Sequence, residues 1–92
     1  MEISFDTQKD LSNLNKHGVP LSAAAAFEWD TAIMWPDLRK AYGEARMIAI
    51  GYIGNRLHVL AFVDRDEPPQ EVRRIISLRK ANLREENHYA QT

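Results

Sequence analysis

The spacing of hydrophobic positions predicts a helix near the start of the chain. Leu11 and Leu14 lie three positions apart, as residues on one face of a helix do. Asp6 can accept hydrogen bonds from the free amides at the start of that helix, and Gly18 can adopt the left-handed conformation that ends it. The pattern therefore predicts a helix over residues 6–17.

Shorter elements flank this helix. Residues 1–5 alternate weakly between polar and apolar and predict a short first strand. Pro20 suits the first turn of a second helix, which the alanine run at 23–26 favours through its high helix propensity. Further along, residues 32–35 predict a short strand that ends at Pro36.

The clearest pattern is a β-hairpin in the middle of the chain. Two apolar runs, 46–53 and 56–64, are separated by Gly54 and Asn55, a pair typical of tight turns that need a positive φ. The turn predicts these pairs on one apolar face: Tyr52–Leu57, Ile50–Val59 and Ile48–Ala61. The opposite face carries Met47, Ala49, Gly51, His58, Leu60 and Phe62.

The last part of the chain predicts a strand and a helix. Residues 64–70 contain two consecutive prolines and are expected to form a loop, whereas 72–76 predict a strand. Ser77 is a suitable N-cap for a final helix that reaches about Tyr89. The order of elements predicts an α+β fold, an antiparallel sheet with N-terminal helices and a C-terminal helix.

Composition limits the class of protein to a small globular one. The 92 residues, 45% of them hydrophobic, suffice for a single domain over 1–92 and are too apolar for a disordered chain. Because the chain has no cysteine, a disulfide framework and a cysteine nucleophile are excluded. No apolar run approaches the ~20 residues of a membrane span and no secretory signal is recognisable, so we expect a cytoplasmic protein with no membrane partner.

The net charge of −1 conceals an uneven distribution of charge along the chain. Residues 1–30 carry two basic and five acidic side chains, a net charge of −3. Residues 71–84 carry five basic and one acidic side chain, a net charge of +4. A polybasic nucleic-acid binder is therefore not expected, but the basic C-terminal segment can still contact phosphate locally.

Basic side chains at two places in the first two thirds of the chain are candidates for phosphate or proton chemistry. Lys16 and His17 end the first predicted helix, where they either complement the helix dipole or handle a phosphate and a proton. Arg46 and Arg65 lie at the same end of the predicted hairpin. There they either clamp a phosphate or pair with neighbouring carboxylates at the surface.

A third candidate pair lies near the end of the chain. Arg79 and Lys80 fall in the first turn of the predicted last helix, where the helix dipole disfavours cations. Either the packing of their long stems or a bound anion such as RNA phosphate would offset this. The three histidines have no metal-ligand spacing and no nucleotide-binding motif is present, so neither a metal nor a cofactor is expected.

A series of short motifs runs through nearly the whole chain, from about Phe5 to Tyr89. They are Phe5-Asp6, Lys9, Asn13, Lys16-His17-Gly18-Val19, Arg39-Lys40, Tyr42-Gly43-Glu44, Arg46, Ile48 to Gly51, Arg56-Leu57-His58-Val59, Arg74-Ile75-Ile76-Ser77 and Arg79-Lys80-Ala81. In order and spacing they resemble the BrnT family of toxins from bacterial type II toxin–antitoxin systems. Two positions depart from the family pattern, since Phe5 stands where many members have Trp and Val63 where Thr is common.

The resemblance implies a RelE-like fold and a metal-independent endoribonuclease without a cofactor. It implies RNA as the substrate, a BrnA-like ribbon-helix-helix antitoxin as the partner, and contact with operator DNA only through the antitoxin complex. Cleavage by the RNA 2′-hydroxyl needs a proton acceptor, cations around the phosphorane and a proton donor. The site residues expected on this basis are Arg46, Arg65 and Arg79 for charge stabilisation, Lys16 and Lys80 in support, and His17 as acid or base.

Two other classes of function fit the same residues. One is a non-catalytic module that binds an antitoxin and does not cleave RNA, and the other is a small nucleic-acid-binding regulator that acts alone. Growth arrest on expression, together with RNA decay that persists in EDTA, would distinguish the enzyme from both. Tight antitoxin binding without RNA cleavage would instead support the binding module.

Overall fold

A computed structural model describes the whole chain, residues 1–92, and confirms the α+β class. The elements in chain order are β1 (Glu2–Ser4), α1 (Thr7–His17), a 3₁₀ helix (Leu21–Ala26), β2 (Ile33–Pro36), β3 (Met47–Ile53), β4 (Arg56–Glu67), β5 (Gln70–Lys80) and α2 (Leu83–Ala90). Asp6 caps α1 by accepting from two amides of its first turn, and Gly18 ends it at φ 76°, both as predicted.

The five strands form one sheet in the order β1-β5-β4-β3-β2. β1 runs parallel to β5, with Glu2 beside Val72, whereas every other pair of neighbouring strands is antiparallel. The prediction of an antiparallel sheet therefore holds for β2 to β5 and is wrong for β1. No tight turn joins β1 to β5, so the long connection between them leaves the direction of β1 free.

The hairpin of β3 and β4 has the predicted register. All three predicted pairs form: Tyr52–Leu57, Ile50–Val59 and Ile48–Ala61. At the turn only Gly54 uses a positive φ, of 62°, and Asn55 does not. Because side chains alternate along each strand, this register fixes which residues share a face of the sheet.

Different elements cover the two faces of the sheet. The first face packs against α1 and the 3₁₀ helix around a buried cluster: Val19, Leu21, Ala24, Phe27, Ala49, Leu60, Phe62, Ile75 and Leu78. The second face has a smaller cluster: Ile50, Leu57, Val59 and Ala81. Over this second face lies α2, whose Tyr89 ring meets Tyr52 edge-on with 5.6 Å between the ring centroids.

The predicted loop at 64–70 is wrong. β4 continues to Glu67 and β5 begins at Gln70, so only the two prolines between them form the turn. Along this extension Asp64 lies opposite Arg73, and their side chains form a hydrogen-bonded ion pair of 2.7 Å. Such cross-strand pairs stabilise this part of the hairpin. Its exposed residues are charged, so no apolar pattern in the sequence predicts a strand there.

The last helix begins later than predicted. Ser77 is a strand residue and not an N-cap, because β5 continues through Lys80. The N-cap is Asn82, whose side chain accepts from the amide of Glu85 at 2.9 Å, while the Glu85 carboxylate accepts from the Asn82 amide at 2.9 Å. This reciprocal capping box satisfies two free amides at once, which Ser77 could not do from within the sheet.

Helix α1 buries a polar residue and exposes its leucines. Leu11 and Leu14 are 63% and 42% exposed, whereas Asn13 is buried. The Asn13 amide donates to the carbonyls of Val19 at 2.7 Å and Leu78 at 2.6 Å, and accepts from the Leu78 amide at 3.3 Å. Leu78 lies on the edge of β5 beyond the end of β1, so one side chain satisfies backbone groups that no strand reaches.

We expect Asn13→Ala to lower the free energy of unfolding by about 2–4 kcal/mol, because it leaves buried backbone groups without partners. Urea unfolding followed by circular dichroism measures this change. The matched control is Asn15→Ala on the same helix, where the exposed side chain makes no hydrogen bond and stability should change little. Equal effects of the two substitutions would contradict this account of Asn13.

Candidate active site

A cleft of about 210 Å³ opens on the second face of the sheet beside α2. Its floor includes Ile48, Ala61 and Ser77, which lie level with one another on β3, β4 and β5. Trp35 of the edge strand β2 and Glu85 of α2 line it as well. Small and apolar side chains on the floor, with polar groups around it, leave room for a ligand against the sheet.

Arg79 enters this cleft from β5 and is held by Glu85 of α2. Its two terminal nitrogens each donate to the Glu85 carboxylate at 2.7 Å. Hydrogen bonding to Glu85 raises the pKa of Arg79, against burial and the like charge of Arg39, and the same bond lowers the pKa of Glu85. Arg79 is therefore a fixed cation whose orientation is set by the first turn of α2.

Arg39 reaches the cleft from the loop that follows β2. The Asp37 carboxylate accepts two hydrogen bonds of 2.8 Å from its guanidinium, and the hydroxyl of Tyr42 donates to Asp37 at 3.0 Å. These hydrogen bonds hold the pKa of Asp37 well below its usual range, and those from Arg39 have the largest effect. The Asp37 side chain is 1% exposed and that of Arg39 73% exposed, so a buried anion orients a cation that solvent can reach.

Arg46 and Arg65 share a third carboxylate, that of Glu44. Arg65 donates to Glu44 at 3.2 Å, and the Nε of Arg46 lies 3.9 Å from the other carboxylate oxygen. The guanidinium of Arg46 also stacks on the ring of Tyr42, 4.1 Å from its centroid. The two arginines thus lie at the same end of the β3–β4 hairpin, as predicted. The carboxylate next to both of them is that of Glu44.

Arg65 and Arg79 stand far apart on the sheet. Arg79 lies opposite Val59, and Arg65 follows Val59 by six residues along β4. Six residues of strand span about 20 Å. The two arginines therefore cannot contact one phosphate, although they can contact different phosphates of one nucleic-acid strand.

Lys16 and His17 lie on the other side of β5 from Arg79. With Lys9 they line a shallow depression that also includes Ser77. Ser77 lines the cleft as well, and the register of β5 shifts by one residue next to it, at Ile76. This β-bulge lets Ser77 border both the cleft and the depression, each of which is lined by its own group of cations.

Lys80 is not brought together with Arg79. Consecutive strand residues point to opposite faces of a sheet, and Lys80 lies opposite His58. The predicted conflict between these two cations and a helix dipole does not arise, because both residues belong to β5.

Sequence reasoning missed four of the five polar or aromatic residues that line the cleft: Trp35, Arg39, Ser77 and Glu85. Two of them had a local signal, since Asn82 followed three residues later by Glu85 is a capping-box pattern and Asp37 precedes Arg39 by two residues. Ser77 was assigned to the wrong element. No group of three or more His, Asp or Glu side chains that could hold a metal ion is present, and no helix is long and apolar enough to span a membrane.

The Arg79–Glu85 pair predicts how stability changes with pH. The pKa of Glu85 is lowered on folding, so the carboxylate stabilises the fold above the ordinary glutamate range and loses this effect as the pH falls through its folded pKa. Glu85→Gln keeps the capping-box geometry and should cost about 1 kcal/mol at pH 7.

Urea unfolding of both proteins should show that this difference shrinks below about pH 4. Glu86→Gln is the control on the same helix, because its carboxylate is 3.9 Å from Arg56 and 41% exposed. A difference that stays constant down to acid pH would contradict a role for the Glu85 charge.

Comparison with known protein families gives a match over most of the chain. A family model described as "Ribonuclease toxin, BrnT, of type II toxin-antitoxin system" matches residues 5–85 of the chain. No match was found among curated proteins. The family match begins at Phe5, just after β1, and ends in the first turn of α2, so it includes all the residues of the cleft and of the depression beside it. The chain therefore belongs to the BrnT family, the ribonuclease toxins of type II toxin–antitoxin systems.

Proposed function

We propose that this toxin is an endoribonuclease that cleaves RNA without a metal ion, by attack of the 2′-hydroxyl on the adjacent phosphorus. The observation that carries the proposal is the position of Ser77 between two groups of cations. Lys16 and His17 lie on one side of it and Arg79, with Arg39, on the other. A phosphate placed at Ser77 would lie between a proton-transfer group and fixed positive charges.

The proposed reaction needs one proton acceptor, one proton donor and stabilisation of negative charge. The 2′-oxygen loses its proton and bonds to phosphorus, the bond from phosphorus to the 5′-oxygen breaks, and the 5′-oxygen gains a proton. The products are a 2′,3′-cyclic phosphate and a 5′-hydroxyl. We assign a proton transfer to His17, because an imidazole ring has one nitrogen that can accept a proton and one that can donate it, and charge stabilisation to Lys16, Arg39 and Arg79.

Arg46 and Arg65 have a different role in this proposal. Their distance from Arg79 along the sheet suits them to hold a more remote phosphate of the same RNA strand. Their shared carboxylate, Glu44, orients them for this contact. Lys80 faces away from the cleft and is left out of the proposed centre.

The biological setting of the proposal comes from the family. A ribonuclease toxin of a type II toxin–antitoxin system acts on RNA and is paired with an antitoxin. We propose that this toxin acts in the cytoplasm, inhibits translation and growth, and is neutralised by a BrnA-like ribbon-helix-helix antitoxin. Contact with operator DNA would then be made through the antitoxin complex.

Arg79→Ala should reduce kcat for RNA cleavage by about 10²–10³-fold, the usual effect of removing one donor to a developing oxyanion. The measurement is cleavage of RNA by purified protein in EDTA, with detection of the cyclic phosphate. Arg84→Ala is the control, because Arg84 is an exposed cation of α2 outside the cleft.

Antitoxin binding by Arg79→Ala should remain largely intact, which separates lost chemistry from lost folding. Full activity of Arg79→Ala, or wild-type cleavage that stops in EDTA, would refute the mechanism. Wild-type protein that binds antitoxin tightly but leaves RNA intact would identify a non-catalytic module.

Arg65→Ala should raise KM for RNA by about tenfold and change kcat much less, because Arg65 contacts a phosphate remote from the bond that breaks. Steady-state cleavage of an RNA that spans the whole sheet measures both constants. A fall in kcat as large as that of Arg79→Ala, with unchanged KM, would place Arg65 at the reacting phosphate and contradict this division of roles.

A further inference from the structure

The cleft has an aromatic wall that the proposed phosphate chemistry does not use. Trp35 lies on the edge strand β2 opposite Ile48 and is half-buried, so part of its indole is accessible from the cleft. The indole also meets the His88 ring of α2 nearly perpendicularly, with 5.7 Å between centroids. Strand β2 and α2 together therefore fix the orientation of this indole.

Cations lie around the same cleft. Arg39 approaches from the loop after β2 and Arg79 from β5, and each is oriented by its own carboxylate. Ser77 lines both the cleft and the neighbouring depression. An aromatic surface next to two fixed guanidinium groups matches the two parts of a nucleotide, its flat base and its charged phosphate.

We propose that this cleft is a nucleobase subsite, in which one unstacked base of single-stranded RNA lies against Trp35 while Arg39 and Arg79 bind its phosphate. The inference rests on the proposed ribonuclease function and names the form of RNA the site accepts. A base within a duplex is stacked on both sides and cannot enter a cleft in the surface of a sheet. Stacking on an indole accepts any base, because every base has a π-face.

An antitoxin side chain is the other conceivable occupant, and the observations favour RNA. Two guanidinium groups line the cleft, and Ser77 borders both the cleft and the depression that holds Lys16 and His17. A base bound there would hold its own phosphate beside the proposed proton-transfer group. Selection of single strands and positioning for cleavage would then come from the same contact.

Tryptophan fluorescence can test this directly, because the chain has only two tryptophans, Trp29 and Trp35. The probe is a short single-stranded oligonucleotide of mixed sequence with 2′-O-methyl riboses, which the proposed reaction cannot cleave. In Trp29→Phe, where Trp35 is the only reporter, this probe should quench the emission, and the same sequence as a duplex should not. In Trp35→Phe, where Trp29 reports, the probe should cause no quenching.

The affinity change gives a second readout. Trp35→Ala should bind the single-stranded probe about tenfold more weakly than wild type, and Trp35→Phe should retain most of the affinity. Leu38→Ala, an exposed apolar residue outside the cleft, is the control and should bind normally. An abasic version of the probe should bind wild type and Trp35→Ala equally, because it offers no base to stack.

The proposal is overturned if Trp35 emission in Trp29→Phe does not respond to the probe, or if Trp35→Ala binds the probe as wild type does. It is also overturned if Trp35→Ala loses antitoxin binding and keeps RNA binding, which would make the cleft a protein-docking site. Wild-type cleavage is scored separately. If the probe quenches Trp35 but the wild type does not cleave RNA, the base subsite is supported and the ribonuclease mechanism is refuted. If the wild type cleaves RNA but the probe does not change Trp35 emission, the ribonuclease mechanism is supported and the base subsite is refuted.

Discussion

The hydrogen bonds of Asn13 hold α1 against the sheet, and the position of the candidate site depends on this contact. β1 covers only the first part of the edge of β5, so the backbone groups of Leu78 need a partner from elsewhere. Asn13 supplies it from the buried side of α1 and also fixes the chain that leaves the helix, through Val19. Lys16 and His17 follow within about one helical turn, and Ser77 precedes Leu78, so this contact sets how the two cations approach the bulge.

Carboxylates orient the cations of the second face, and this explains how a chain of net charge −1 can present an arginine-rich surface. The pairs are Asp37 with Arg39, Glu85 with Arg79, and Glu44 with Arg46 and Arg65. Each carboxylate offsets the repulsion between neighbouring guanidinium groups and holds the donors in place before a substrate arrives. Preorganised donors of this kind stabilise developing charge more effectively than mobile ones. They also avoid the large positive excess that drives non-specific binding to nucleic acid.

Local and periodic features made much of the fold predictable. Asp6 and Gly18 marked the ends of α1 correctly, and Gly54 fixed the register of the central hairpin. The extension of β4 could not be found in this way, because its residues are exposed and charged and are paired only across strands, as Asp64 is with Arg73. The site was also predicted only in part. The approach of Arg39 to Arg79 depends on long-range packing, which spacing along the chain does not encode.

The start of α2 links the stability of the fold to the chemistry proposed for the cleft. α2 has no buried residue of its own, so a few contacts with the sheet hold it in place. Glu85 makes one of these contacts, to Arg79, and closes the capping box with Asn82 by the same carboxylate. The group that begins the helix is therefore also the group that aims the guanidinium into the cleft. Had the helix begun at Ser77, Arg79 would lie in its first turn, and β5 would have no bulge at which Ser77 borders both the cleft and the depression beside α1.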